Sequence, residues 1–354
     1  MEYKPRLDSL RCIAIIAVMC EHLLYFFSHS FNLGFYGVNL FFVLSGFLIT
    51  SILLNDKSDF AIAYKRFLAK RALRIFPLYF LCLLFLWIVC ANGFLADYPY
   101  LILYIYNYRI ANTNNWATMY SSYWSLSVEE QFYFFFPFIV LILRQNLNYL
   151  LFTCIVIIIA AFLQIGFNFF KLREFNYVGL LTNMGALSFG SAGVVLVKRQ
   201  YILHRFLNNV KTEILLVVAI LNTLIFGNLT FKMIVCPVLN LLLVLKAACT
   251  GFEISFFDNF MLNKRIVFIG RISYGIYLYH LIIAFYFGEY LFNPIWSKIP
   301  FKNFGILSKL EYNPWIVRFP ITVFLSILLA AVSYRFIEKP ILNLRRKFLT
   351  VEAD

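Results

Sequence analysis

Apolar residues run along this chain in long stretches, broken by short segments in which lysine and arginine collect. Several of these stretches approach the roughly 20 residues that cross a bilayer. Ten spans are predicted, at 9–30, 35–54, 75–95, 125–143, 149–166, 179–197, 213–229, 231–250, 272–293 and 316–337. The expected fold class is therefore all-α, a polytopic membrane helical bundle. With both termini cytoplasmic, the inside segments are 1–10, 55–74, 144–148, 198–212, 251–271 and 338–354. They hold "YKRFLAKRALR", "KRQYILHR" and "NLRRKF", while the outside segments 96–124, 167–178 and 294–315 are poorer in basic residues. That sorting is the one positive-inside topology demands.

Composition supports the reading. The chain is 62% hydrophobic and only 14% charged, whereas soluble domains carry roughly a quarter charged residues. The net charge of +14 is then explained by cytoplasmic loops, and no nucleic-acid partner is expected. The seven cysteines fall in or at the ends of apolar stretches, without metal-ligand spacing, and read as packing residues. The first apolar stretch lacks a small-residue cleavage site and is interrupted by Glu21 and His22, so it is expected to stay as a span. One membrane domain is expected over 1–340, followed by a short basic cytoplasmic tail at 341–354. Within the long outside loop, "YPYLILYIYNY" is too short to span and is expected to be re-entrant or interfacial.

Ionisable groups inside spans are costly and mark cavities or partners. Here they are Glu21, His22, Glu129, Glu130, Lys246, His280 and Glu289. Arg11 and His22 are eleven residues apart, roughly three helical turns and about 16 Å of rise. They share a helix face, with Arg11 at the cytoplasmic edge and His22 near mid-membrane. His22 reads either as a packing histidine or as a general base for an attacking hydroxyl. Arg71 and Arg74 are three apart and share a face. Their role is either topological or an anion clamp, for which the planar guanidinium fork suits phosphate. Pro77 is expected to open the third span.

In "YWSLSVEEQFYFFFP", Ser127 with Glu130 fits a capping box, leaving Glu129 free to face the interior and partner a histidine. His280 has three open readings: second catalytic group, substrate-facing hydrogen bonder or packing residue. Lys246 is expected to snorkel, and His29 and His204 read as loop residues. Ser45 in "LSGFL" has nothing local that marks it as a nucleophile. No P-loop, HExxH, GxSxG or Cys-His metal pattern is present in the sequence, and no metal is expected.

These residues, in this order, resemble acyltransferase family 3, the integral-membrane O-acyltransferases of bacterial surface polysaccharides. "RLDSLRCIAIIAVMCEH" is similar to the family's first motif at Arg6, Asp8, Arg11 and His22, with Cys12 where glycine is common. "GVNLFFVLSGFLIT" resembles the second, and "KRALRIFPLY" the arginine motif at Arg71, Arg74 and Pro77. "YWSLSVEEQFY" matches the WSLxxE element at Trp124, Ser125 and Glu129, and "ISYGIYLYH" and "YRFIEKP" resemble the last two.

The resemblance implies an O-acetyltransferase of the bacterial cytoplasmic membrane, with acetyl-CoA or another acyl-CoA as donor. The acceptor would be a hydroxyl of a glycan such as O-antigen in lipopolysaccharide, capsule or peptidoglycan. It further implies that Arg11, Arg71 and Arg74 hold the donor, that His22 and Glu129 are catalytic, and that His280 and Trp124 contact substrate. Oxyanion donors are open, with Asn39 and Tyr274 as candidates, as is the choice between an acyl-histidine and direct transfer. Family members often carry a fused extracytoplasmic esterase-like domain; none is seen in these 354 residues, so transfer is expected to be completed here or by a separate protein. The competing expectation is a transporter or flippase of a glycan or lipid-linked intermediate, against which stands the lack of paired repeats.

Overall fold

The computed structural model describes residues 3–24, 31–116, 118–169, 173–199, 207, 209–300 and 312–343. His29, His204 and residues 344–354 of the expected basic tail lie outside the described residues. Every regular element described is helical. In chain order these are α1 (Pro5–Leu23), α2 (Leu33–Asn55), α3 (Phe60–Ile88), α4 (Phe94–Ile102), α5 (Tyr106–Thr113), α6 (Tyr123–Leu143) and α7 (Leu147–Phe167). They continue as α8 (Arg173–Val178), α9 (Leu180–Arg199), α10 (Val210–Phe226), α11 (Leu229–Cys249), α12 (Ser255–Leu262) and α13 (Lys264–Arg271). The last two are α14 (Ser273–Tyr286), extended by a π-helical turn at Phe287–Phe292 and a short α-helical turn at Asn293–Trp296, and α15 (Trp315–Ser333), extended by a π-helical turn at Tyr334–Glu338.

Eight helical segments among the described residues are long and apolar enough to cross a membrane: α2, α3, α6, α7, α8 with α9, α11, and α14 and α15 with their extensions. Two of the ten expected spans fall short of that measure. Helix α1 carries Arg6, Asp8, Arg11 and Glu21 within its 19 residues, and α10 has only 17.

Helix α2 is the centre of the bundle. Of its most apolar window, 72% is buried, against 28% for the peripheral α7. Its neighbours α1, α6, α9 and α11 pack around it. The tightest contact needs glycine on both sides: a Cβ on Gly46 would lie 1.8 Å from the Leu187 carbonyl oxygen, and one on Gly190 would lie 2.0 Å from that of Val43. Helix α1 is seated the same way between α2 and α13, through Gly37 and Gly270. Its N-terminal end is pinned by Arg6, which donates two hydrogen bonds to Asp258 at 2.7 and 2.9 Å. The Arg6 guanidinium holds the Asp258 carboxyl below the usual carboxylate range.

Several expectations are corrected. The basic stretch "KRFLAKRALR" is helical, because α3 starts at Phe60, fifteen residues before the predicted span, and Pro77 lies inside it. Hydropathy marks where a helix enters lipid, while Ala, Leu, Lys and Arg sustain the helix beyond that point. Ser127 does not cap α6, which begins at Tyr123: its hydroxyl donates back to the Tyr123 carbonyl at 3.3 Å, and its oxygen accepts from the Tyr106 N–H at the start of α5 at 3.3 Å. Lys246 does not snorkel. It is fully buried and paired with Glu213 of α10 at 2.8 Å, the partner that makes such burial tolerable. As expected, the segment "YPYLILYIYNY" forms no single span: it is split between α4 and α5, with Tyr104 in the left-handed region at φ 52°.

Candidate active site

The site is built where α1, α3, α6 and α14 converge. Helix α1 runs unbroken from Pro5 to Leu23 and so keeps Arg11 and His22 on one rigid rod. Near its far end, His22 Nδ1 lies 2.8 Å from His280 Nε2 on α14. The rings are nearly parallel, 17° apart. His280 is completely buried, and its Nδ1 lies 2.7 Å from the Tyr277 carbonyl oxygen.

The proton positions follow from these partners. A carbonyl only accepts, so His280 Nδ1 is the donor there. In the neutral ring Nε2 is then an acceptor, which makes His22 Nδ1 a donor and leaves His22 Nε2 with its lone pair free. His22 is exposed, and among the described residues its only hydrogen-bond partner is His280. Its neighbour Glu21, a quarter-turn round the helix, faces α2 instead and accepts from the Gly34 backbone N–H at 3.3 Å, at the start of that helix.

Two cavities lie toward the other end of α1, and they share Arg11, Arg71 and Arg74. The outer vestibule, of about 500 Å³, is bordered also by Lys4, Arg66, Lys70 and Arg271, with Asp8 and Asp56 as its acids. The inner chamber, of about 80 Å³, is bordered by Ser45, Ser125, Glu129, Tyr133 and Tyr277. Arg71 and Arg74 line both because their spacing on α3 puts them on one face. Neither makes a hydrogen bond or ion pair among the described residues. Arg71 instead stacks 4.4 Å above the Tyr133 ring. Arg11 is held by Asp8 at 2.6 Å. Guanidinium forks left without a carboxylate, at the neck between a basic vestibule and a chamber, form an anion-binding arrangement.

The predicted residues are thus sorted by position. Glu129 is in the inner chamber and not beside His22: its Oε1 accepts from Ser45 Oγ at 2.8 Å, and Tyr133 donates to the same Ser45 oxygen at 3.1 Å. His280 has both ring nitrogens engaged and meets no open space. Trp124, 4% exposed, packs edge-on to Phe42 and against Tyr177. Of the oxyanion candidates, Tyr274 borders the chamber but gives its hydroxyl to the Ile75 carbonyl, and Asn39 is buried against Asn240. Sequence reasoning missed Ser45, Tyr133 and Tyr277. Tyr277 carries a usable signal, since it lies three residues before His280 on one helix. There it borders the chamber with its side chain while its carbonyl fixes the histidine. Its hydroxyl donates to the Ser122 carbonyl at 2.8 Å and meets Ser125 Oγ at 2.6 Å. Among the described residues no group of three or more His, Cys, Asp or Glu is arranged to hold a metal.

The model of the acyltransferase domain of family 3 matches residues 4–335. The O-acetyltransferase OatA of Staphylococcus aureus is 28% identical over 379 residues, covering 96% of this chain and 57% of that protein. The Bacillus subtilis protein named "Putative peptidoglycan O-acetyltransferase YrhL" is 28% identical, with 96% of this chain and 55% of the relative covered. The chain therefore spans a little over half the length of these curated relatives. No solved structure matches it. With helices, motifs and the matched model coinciding from residue 4 to residue 335, the chain belongs to the acyltransferase 3 family of membrane proteins.

Proposed function

We propose that the protein is an integral-membrane O-acetyltransferase that moves an acetyl group from cytoplasmic acetyl-CoA to a hydroxyl of a cell-surface or exported carbohydrate. The observation that carries this reading is the His22–His280 pair, whose hydrogen bonds leave His22 Nε2 as the unprotonated imidazole nitrogen. A carbohydrate acceptor is supported by the relatives, one of which is named for peptidoglycan. The bilayer would be a bacterial cytoplasmic membrane, crossed ten times, with both termini in the cytoplasm and α1 and α10 as the two least apolar spans.

In this reading the CoA phosphates rest in the vestibule on Arg11, Arg71 and Arg74. The pantetheine arm follows α1 through the chamber, past Glu129, and brings the thioester toward His22. His22 Nε2 takes the proton of the acceptor hydroxyl as its oxygen attacks the thioester carbonyl carbon. The tetrahedral oxyanion collapses with cleavage of the C–S bond, and the CoA thiolate recovers the proton from the imidazolium. His280 acts as a positioning residue that fixes the tautomer and ring plane of His22, in place of the expected substrate contact. Glu129, held by Ser45, lies beside the donor's path and not against the base. Trp124 acts through its packing against Phe42 and Tyr177.

The test is acetyl transfer and CoA release in membranes holding the full chain. His22→Ala should lower turnover by roughly 10²–10⁴, the usual contribution of a positioned base, with unchanged membrane insertion. Wild-type-like turnover by that variant would sink the assignment.

A further inference from the structure

A third cavity, of about 560 Å³, shares no lining residue with the vestibule or the chamber. It lies where the end of α15 and its π-helical turn meet α13, and there Phe268 packs edge-on to Tyr334 at 6.4 Å. Its walls include Phe268, Val332 and Phe336, all of them exposed. Two cations, Arg335 and Lys339, border it as well. Both are exposed, and neither makes an ion pair among the described residues. The vestibule has Asp8 and Asp56 among its basic residues, whereas no carboxylate among the described residues borders this cavity. The acid of the same turn, Glu338, is buried toward α14, where a Cβ on Gly275 would lie 3.6 Å from its Oε1.

Depth in the bilayer decides what these cations meet. Trp315 opens α15, and Arg335 follows twenty residues later, about 30 Å along the axis. That is the thickness of the hydrocarbon core, so Arg335 stands at headgroup depth and Val332 about a turn deeper. Helix α15 is also the span most open to lipid: only 22% of its most apolar window is buried, the lowest share of the eight. Helix α13 is eight residues long, with Phe268 on this cavity and Arg271 on the vestibule. The two cavities therefore open at the same end of the bundle. Arg335 lies 5.8 Å from the centre of the Phe336 ring, a contact that restrains the guanidinium.

We infer that this cavity is a binding site for one anionic phospholipid, with its phosphate on Arg335 and Lys339 and an acyl chain along Val332 and Phe268. Basic pockets beside membrane helices suit such headgroups. A free phosphate would gain nothing from the apolar wall. A zwitterionic headgroup would bring an ammonium against two cations. An anionic lipid matches both halves of the cavity, and the burial of Glu338 keeps the one acid of the turn away from its phosphate.

The test is native mass spectrometry of the full chain in detergent, titrated with phosphatidylglycerol or phosphatidylcholine. One phosphatidylglycerol should bind at least about tenfold more tightly than phosphatidylcholine, and millimolar inorganic phosphate should not displace it. Lys339→Gln should weaken phosphatidylglycerol about fivefold, and Arg335→Gln with Lys339→Gln about thirtyfold, with phosphatidylcholine unaffected. Arg335→Lys, which keeps the charge, should stay within about threefold of wild type. The exposed pair at the end of α9 and the start of α10, changed as Arg199→Gln with Lys211→Gln, should leave binding unchanged. Equal affinity for the two lipids, displacement by phosphate, wild-type affinity in the Lys339 and double variants, or an equal loss in the α9–α10 pair would each overturn the site.

Discussion

His280 is the residue on which the candidate chemistry turns, although it never meets solvent. Its Nδ1–H is spent on the Tyr277 carbonyl, so the only thing it offers His22 is a lone pair. A side chain that offers the same lone pair at the same place should keep part of the activity. Glutamine has a carbonyl oxygen able to accept from His22 Nδ1; alanine has none. His280→Ala is therefore expected to lower kcat by about 10², and His280→Gln to retain at least about tenfold more activity than the alanine variant. Equal losses in both variants would make His280 a packing residue. The pairing itself was not legible in the sequence, which placed both histidines inside the membrane but separated them by 258 positions. What the sequence offered was Glu129 as a partner, because a carboxylate is the commonest companion of a histidine. The structure gives that carboxylate to Ser45 instead.

Helix packing here depends on places where no side chain fits. At Gly46 and Gly190 the backbones of α2 and α9 approach so closely that any Cβ would overlap a carbonyl oxygen. Small residues at such crossings are the usual means of joining helices in lipid, where apolar contact alone offers little preference. Gly46→Ala should thus force α2 from α9 and cost about 2–3 kcal/mol or more. Gly166 on α7 meets nothing within 4 Å, and Gly166→Ala should be neutral or slightly stabilising, by up to about 1 kcal/mol. Thermal unfolding in detergent measures both, and comparable effects at the two positions would refute the packing argument. The apolar spans of these helices were readable from hydropathy, with ends shifted by a few residues. The start of α3 was not, because its first fifteen residues are basic and helical at once. That extension is what carries Arg66 and Lys70 to the vestibule, so the boundary error concealed how the anion site is built.

At the scale of the whole molecule, α3 links the proposed donor entrance to the opposite side of the bundle. Its 29 residues extend about 43 Å at 1.5 Å per residue, more than the ~30 Å hydrocarbon core of a bilayer. Ala63, Arg66 and Phe67 near its first turns border the vestibule, while Cys90, just past its last turn, is exposed. In the proposed topology the two ends face opposite compartments, and the basic residues around the vestibule put that end in the cytoplasm, as positive-inside sorting favours, which is also where CoA esters are made. A membrane-impermeant maleimide should then label Cys90 from outside intact cells, in a variant whose other six cysteines are replaced. A cysteine at Lys57→Cys, beside the vestibule between α2 and α3, should react only after the membrane is opened. The reverse pattern would turn the vestibule outward, where no acyl-CoA could reach Arg71 and Arg74. It would overturn the donor as well as the topology, even if His22 proved essential.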